Sequence, residues 1–154
     1  LYGDAESKKN LISSIDLVPE DLEKRNIRLQ KKYAEIEENE ILFEDYNTDD
    51  ADVVVMGYGI VSRMLKSVVQ KMRAEGYKVG LFRPITLFPF PKPQIKALAE
   101  KGKRFFVSEL SNGQMVEDVR LLVEGKVPVE FYNRMGGVVP SPEELEEQVK
   151  KMFD

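Results

Sequence analysis

From Ile41 to its end the sequence alternates short runs of β-branched and aromatic residues with longer amphipathic stretches, most of them closed by glycine. No other feature constrains the fold as much. Strand, helix and strand in succession return to one sheet by a crossover, which makes the strands parallel and the connection right-handed. The expected strands are 41–46, 52–56, 78–82, 104–109 and 128–132. Helices are expected from Gly59 to about Glu75, Pro93 to Glu100, the Asn112-Gly113 turn to Val123, and Pro142 onward. The helix after Gly57-Tyr58-Gly59 is expected to bury Ile60, Met64, Leu65, Val68, Val69 and Met72, and the last helix Leu145, Val149 and Met152. Ser141, Pro142 and Glu144 spell a capping box. Nearly continuous apolar strands flanked by helices predict a three-layer α/β/α domain with a five-stranded, mostly parallel sheet. The first strand reaches the second through Asn47-Thr48-Asp49-Asp50 with no helix between, so it is expected antiparallel at the sheet edge.

Residues 1–40 have a different texture. Leu1 to Asp16 is mixed polar, with a Ser13-Ser14 pair, and reads as an arm. A helix follows with Pro19 at its start, Glu20, Asp21 and Glu23 in its first turns, and an apolar stripe of Leu22, Leu29, Tyr33 and Ile36. That helix either packs on its own domain or connects to a domain beyond this sequence. The first residue is Leu rather than Met, which suggests a piece of a longer polypeptide.

Composition removes whole chemistries. The 154 residues include no His, Cys or Trp. Imidazole acid–base pairs, catalytic triads and thiol nucleophiles are therefore excluded from this chain, as are thiolate or imidazole zinc sites, iron–sulfur ligation and disulfides. The 27 acidic and 23 basic side chains leave a net charge of −4, no footprint for nucleic acid. No apolar run approaches the roughly 20 residues that span a bilayer, so neither membrane nor nucleic acid is expected as a partner, and a cytoplasmic location is expected.

In open parallel sheets, ligands and partners are met at the carboxyl ends of the strands. The candidate residues there are Gly57, Gly59, Arg83, Pro84, Phe88, Phe90, Glu109, Asn112, Gly113, Gln114 and Arg134. Gly57-x-Gly59-x-x-Ser62 suits either a dinucleotide turn or a structural turn, but the third glycine is replaced and no acid ends the next strand to hold a ribose. Prolines 89 and 91 keep Phe88 and Phe90 out of regular structure, so these rings either fold under the sheet edge or form a docking patch. Glu109 is the best-placed acid, as a catalytic carboxylate, a helix N-terminal partner or an interdomain ion pair.

Two runs, Val79-Gly-Leu-Phe-Arg-Pro-Ile-Thr-Leu-Phe-Pro-Phe-Pro91 and Phe106-Val-Ser-Glu-Leu-Ser-Asn-Gly-Gln-Met115, resemble the α subunit of 2-oxoacid:ferredoxin oxidoreductases. The resemblance covers about Asp52 to Phe153 and is to that subunit's transketolase C-terminal-like domain. It implies an enzyme that decarboxylates a 2-oxoacid on thiamine diphosphate, reduces ferredoxin through iron–sulfur clusters and transfers the acyl group to coenzyme A. It also implies that this chain serves assembly with a β subunit and is inactive alone, with thiamine diphosphate, magnesium and the cluster held elsewhere. No catalytic residue of the family maps onto this sequence. The alternatives are the equivalent domain of another thiamine-dependent dehydrogenase or transketolase, and a free-standing nucleotide-binding regulatory domain.

Overall fold

The computed structural model describes residues 4–11, 13 and 15–154. It divides into two compact units, Leu1–Asn39 and Glu40–Asp154. In the first, the described residues of the expected arm include a 3-10 turn, Ser7–Asn10, where Asp4 accepts a hydrogen bond from the Ser7 amide at 2.7 Å. Leu1, Tyr2, Gly3, Ile12 and Ser14 lie outside the described residues. Helix α1 spans Pro19–Asn39. Its apolar stripe is in phase, yet α1 buries none of its residues, and Leu22 and Tyr33 remain 39% and 41% exposed.

The second unit is built as β1 Phe43–Tyr46, β2 Val53–Met56, α2 Gly59–Ala74, β3 Val79–Pro84, α3 Lys92–Glu100, β4 Arg104–Glu109, α4 Met115–Val123, β5 Val129–Asn133 and α5 Pro142–Lys150. The sheet order is β1-β3-β2-β4-β5. β1 runs antiparallel to β3, pairing Phe43 with Pro84, and the other strands are parallel. The antiparallel edge position of the first strand thus agrees with the sequence: the short turn reverses the chain between β1 and β2, and β1 settles beside β3. β1 begins at Phe43 rather than Ile41, and β3 runs on to Pro84 rather than stopping at Phe82. The extension follows from pairing: Arg83 and Pro84 lie opposite Glu44 and Phe43 on β1.

Alternate strand residues feed two cores. Val54, Met56, Phe82, Phe105 and Val107 pack with α3 and α4. Val53, Val55, Val79, Leu81 and Phe106 pack with α2 and α5. The sheet is therefore the middle of three layers. The expected stripe of α2 needs one correction. Ile60 is 52% exposed, and Val61 and Ser62 are buried in its place, because the helix starts at Gly59 and its first turn projects Ile60 away from the sheet. The stripe of α5 is as expected, and the Ser141–Glu144 capping box is formed. α5 is also tied to α2: Glu146 accepts from Lys71 at 2.6 Å and from Lys150 at 2.7 Å, while Lys150 reaches Glu75 at 2.7 Å. Of the described residues, no helix is long and apolar enough to cross a membrane.

Candidate functional site: the carboxyl edge of the sheet

The four parallel strands end together, and their loops bring Gly57–Ile60, Arg83–Phe88, Glu109–Gln114 and Asn133–Val139 to one edge. Because β1 is antiparallel, its beginning, Leu42 and Phe43, arrives at the same edge.

Glu109 ends β4 and is 1% exposed. Its carboxylate accepts from the backbone N–H groups of Gln114, Met115 and Val116 at 3.2, 3.1 and 2.9 Å, and from the Ser111 hydroxyl at 3.0 Å. Those three amides open α4 and have no acceptor within the helix. A buried carboxylate at a helix N-terminus is stabilised by both the amides and the helix dipole. Of the three roles open to Glu109, helix N-terminal partner is the one its geometry fills. Gly113 and Gln114 belong to the turn that brings α4 onto this carboxylate, and Asn112 accepts from the Asn133 amide group at 3.4 Å.

Gly57 sits where the first turn of α2 crosses the sheet. A Cβ there would lie 2.8 Å from the tip of Leu65 and 2.9 Å from that of Val61, so a side chain would force these two core side chains of α2 to shift. Gly59 has φ +57°, a backbone that favours glycine. Both glycines therefore serve the turn and the helix contact. The cavity bounded by Tyr58–Val61, Ser108, Glu109 and Leu110 has a volume of about 110 Å³. That is well below the several hundred Å³ of ordinary small-molecule pockets, so the turn offers no room for a dinucleotide.

Arg83 is drawn sideways onto Glu44 of β1 at 3.2 Å, and Lys66 meets the same carboxylate at 2.6 Å. Lys66 and then Arg83 hold Glu44 below the usual carboxylate range. Pro84 is buried at the end of β3. At the far side, Arg134 pairs with Glu144, which also accepts from the Tyr132 hydroxyl. Tyr132 and then Arg134 keep the Glu144 carboxyl below its ordinary value, after the opposing effect of desolvation.

The two phenylalanines part company. Phe90 is 7% exposed in the core with α3 and α4, whereas Phe88 is 59% exposed. Phe88 has company. Leu42, Ile60, Ile85, Leu87, Leu110, Met135, Val138 and Val139 are also exposed. Apart from Leu121 on α4, the large hydrophobic side chains exposed by the Glu40–Asp154 unit all lie at this edge. Their convergence was not read from the sequence; marking the apolar residue in each strand-end loop could have found it. An apolar margin at one end of a sheet otherwise covered on both faces marks an interaction surface.

The chain has no Cys or His, and among the described residues no group of three or more acidic side chains could hold a metal ion. These residues do not fit a magnesium or iron–sulfur site.

Residues 51–145 match the family described as pyruvate:ferredoxin oxidoreductase core domain II. The chain belongs to the 2-oxoacid:ferredoxin oxidoreductase family. The ketoisovalerate oxidoreductase subunit VorB of Methanothermobacter thermautotrophicus is 49% identical over 150 residues, 97% of this chain and 42% of VorB. The chain spans about two fifths of the length of that relative. Among solved structures, a 2-oxoglutarate:ferredoxin oxidoreductase from Magnetococcus marinus, with 2-oxoglutarate, coenzyme A and succinyl-CoA bound, matches with a TM-score of 0.72 at 22% identity. That match covers 90% of this chain and 24% of the other. A split-gene transketolase, an inactive β4 tetramer, matches with a TM-score of 0.58 at 16% identity over 67% of this chain and 38% of that one. Both share its fold, which is transketolase-like as the motifs implied.

Proposed function

We propose that this chain is the docking domain at the C-terminal end of an α subunit in a 2-oxoacid:ferredoxin oxidoreductase. The holoenzyme decarboxylates a 2-oxoacid to an acyl-CoA and reduces ferredoxin. The observation that carries this reading is the apolar carboxyl edge, where the one well-placed acid, Glu109, is consumed in holding α4. A surface without a usable acid, base or metal site suits assembly, and the catalytic groups come from elsewhere in the complex. Thiamine diphosphate, magnesium and the iron–sulfur cluster are assigned to other domains or subunits, and the partner is the β subunit. The 49% identity to the ketoisovalerate subunit favours a branched 2-oxoacid as substrate.

Co-expression of the full-length subunit with its partners tests the docking role. Leu87→Ser with Phe88→Ser is expected to reduce co-purification of the β subunit at least about tenfold, since each exposed aromatic or leucine buried at an interface is worth roughly 1–3 kcal/mol. Leu121→Ser, on an exposed leucine of α4 away from the edge, is expected to leave it unchanged. Undiminished co-purification of the edge variant would overturn the assignment. Ferredoxin reduction by the intact complex, compared with 2-ketoisovalerate, 2-oxoglutarate and pyruvate, tests the substrate.

A further inference from the structure

The helices of the Glu40–Asp154 unit solve the problem of their N-termini unequally. α4 is capped by Glu109, and α5 by Ser141 with Glu144. α3 has a proline in its first turn, where a donor is missing in any case. α2, the longest of the four at 16 residues, starts at Gly59 behind Tyr58, whose side chain makes no capping hydrogen bond. Its first amides have no acceptor within the helix, and that of Val61 belongs to a residue only 3% exposed.

A second group beside them also lacks a partner. Ser108 is fully buried, and among the described residues its hydroxyl makes no hydrogen bond. On β4 it shares a face with Phe106, which packs in the core with α2, so Ser108 lies under the first turn of that helix. It lines the cavity of about 110 Å³ that this turn also bounds. Amide donors and an unsatisfied hydroxyl around one small space call for an acceptor, and a buried polar group left without one costs roughly 1–3 kcal/mol. Glu109 cannot supply it, because its carboxylate is spent on α4 at the opposite face of the sheet.

We propose that the acceptor is a carboxylate from a partner subunit: an Asp or Glu, set in an apolar surface, that enters between Ile60 and Leu110 and caps α2 beside Ser108. This rests on the docking reading and names the chemistry of its centre. The lining contains no lysine or arginine, as a phosphate or nucleotide site would; its one acid, Glu109, has its carboxylate engaged by the α4 amides, and the volume suits a carboxylate. The positive end of the α2 dipole complements the charge, while exposed Ile60 and Leu110 supply an apolar collar that keeps water from it.

The full-length subunit and its partner, purified separately, allow the dissociation constant to be titrated for four variants, Ile60→Asn, Ile60→Asp, Ser108→Ala and Phe88→Ser. Ile60→Asn, which trims the collar only, is expected to weaken association about threefold, and Ile60→Asp, which adds charge where the carboxylate docks, at least about thirtyfold. The same Asp is expected to leave the melting temperature of the unpartnered subunit unchanged or higher, since an acid suits a helix N-terminus. Ser108→Ala is expected to cost about fivefold in affinity. Equal losses for Asp and Asn, or full affinity in Ser108→Ala, would overturn the carboxylate and leave the docking edge standing. Full affinity in both Ile60 variants and in Phe88→Ser would overturn the docking edge itself.

Discussion

Replacing Glu109 separates its structural role from any catalytic one. In Glu109→Ala, three amides lose their acceptor, and two of them belong to the buried residues Met115 and Val116. At about 1–1.5 kcal/mol for each buried amide and about 1 kcal/mol for the lost cap, the cost comes to roughly 3–4 kcal/mol. Glu109→Gln keeps one oxygen. It can serve the Ser111, Gln114 and Met115 cluster, while its amide group turns a donor toward the donor of Val116. One hydrogen bond is lost and two donors face each other, for about 1.5–2 kcal/mol. Ser111→Ala removes only a hydroxyl that donates to the carboxylate and should cost about 0.5–1 kcal/mol. Urea unfolding followed by far-ultraviolet circular dichroism reads the series. With a slope of about 2 kcal/mol per molar, the midpoint falls by roughly 1.5–2 M for Ala and by about half that for Gln. A Glu109→Ala chain within 1 kcal/mol of the parent would refute the helix-holding role and return this acid to the catalytic candidates.

Gly80→Ala tests a close approach that no motif announces: the new Cβ would sit 2.4 Å from the backbone oxygen of Asn47 and 2.8 Å from Thr48 Cα. Backbone cannot step aside as a side-chain tip can, so a loss of about 2–3 kcal/mol is expected in the same urea assay. Acid should loosen α5 from α2. Lys150 and then Lys71 hold the Glu146 carboxyl below its ordinary range. Its stabilisation is therefore complete above the ordinary glutamate value, about 4.3, and is lost as pH falls through the lower folded value. Glu146→Gln should flatten that part of the stability–pH curve, measured by thermal unfolding between pH 6 and about pH 3. Phe90→Ser, deleting a core ring, should destabilise by about 3–4 kcal/mol, whereas Phe88→Ser should change unfolding by less than about 1 kcal/mol.

The candidate site was legible as a place more than as a set of roles. Strand-end loops are found from periodicity alone, and Gly57, Arg83, Glu109 and Arg134 all lie at the edge where the alternation put them. Their roles depend on angles that periodicity does not carry. Phe88 and Phe90 are two residues apart with proline between, and only the loop's path decides which ring enters the core. Ile60 and Val61 lie about 100° apart around α2, and only the seating of that helix on the sheet decides which of the two is buried. Ser108 carried no signal, since a serine near a strand end looks the same with or without a partner.

The sequence by itself determined the layered α/β class, the antiparallel first strand, the Ser141 cap, and the exclusion of thiol and imidazole chemistry from this chain. These follow from local periods, short connections and composition, which act over a few residues. Only the tertiary structure decided the strand order β1-β3-β2-β4-β5, the crossing of Asn47 over Gly80, and the gathering of exposed apolar side chains at one edge. Each depends on residues far apart in the chain meeting in space, and such contacts are fixed by the packing of whole layers, not by any segment's own preference.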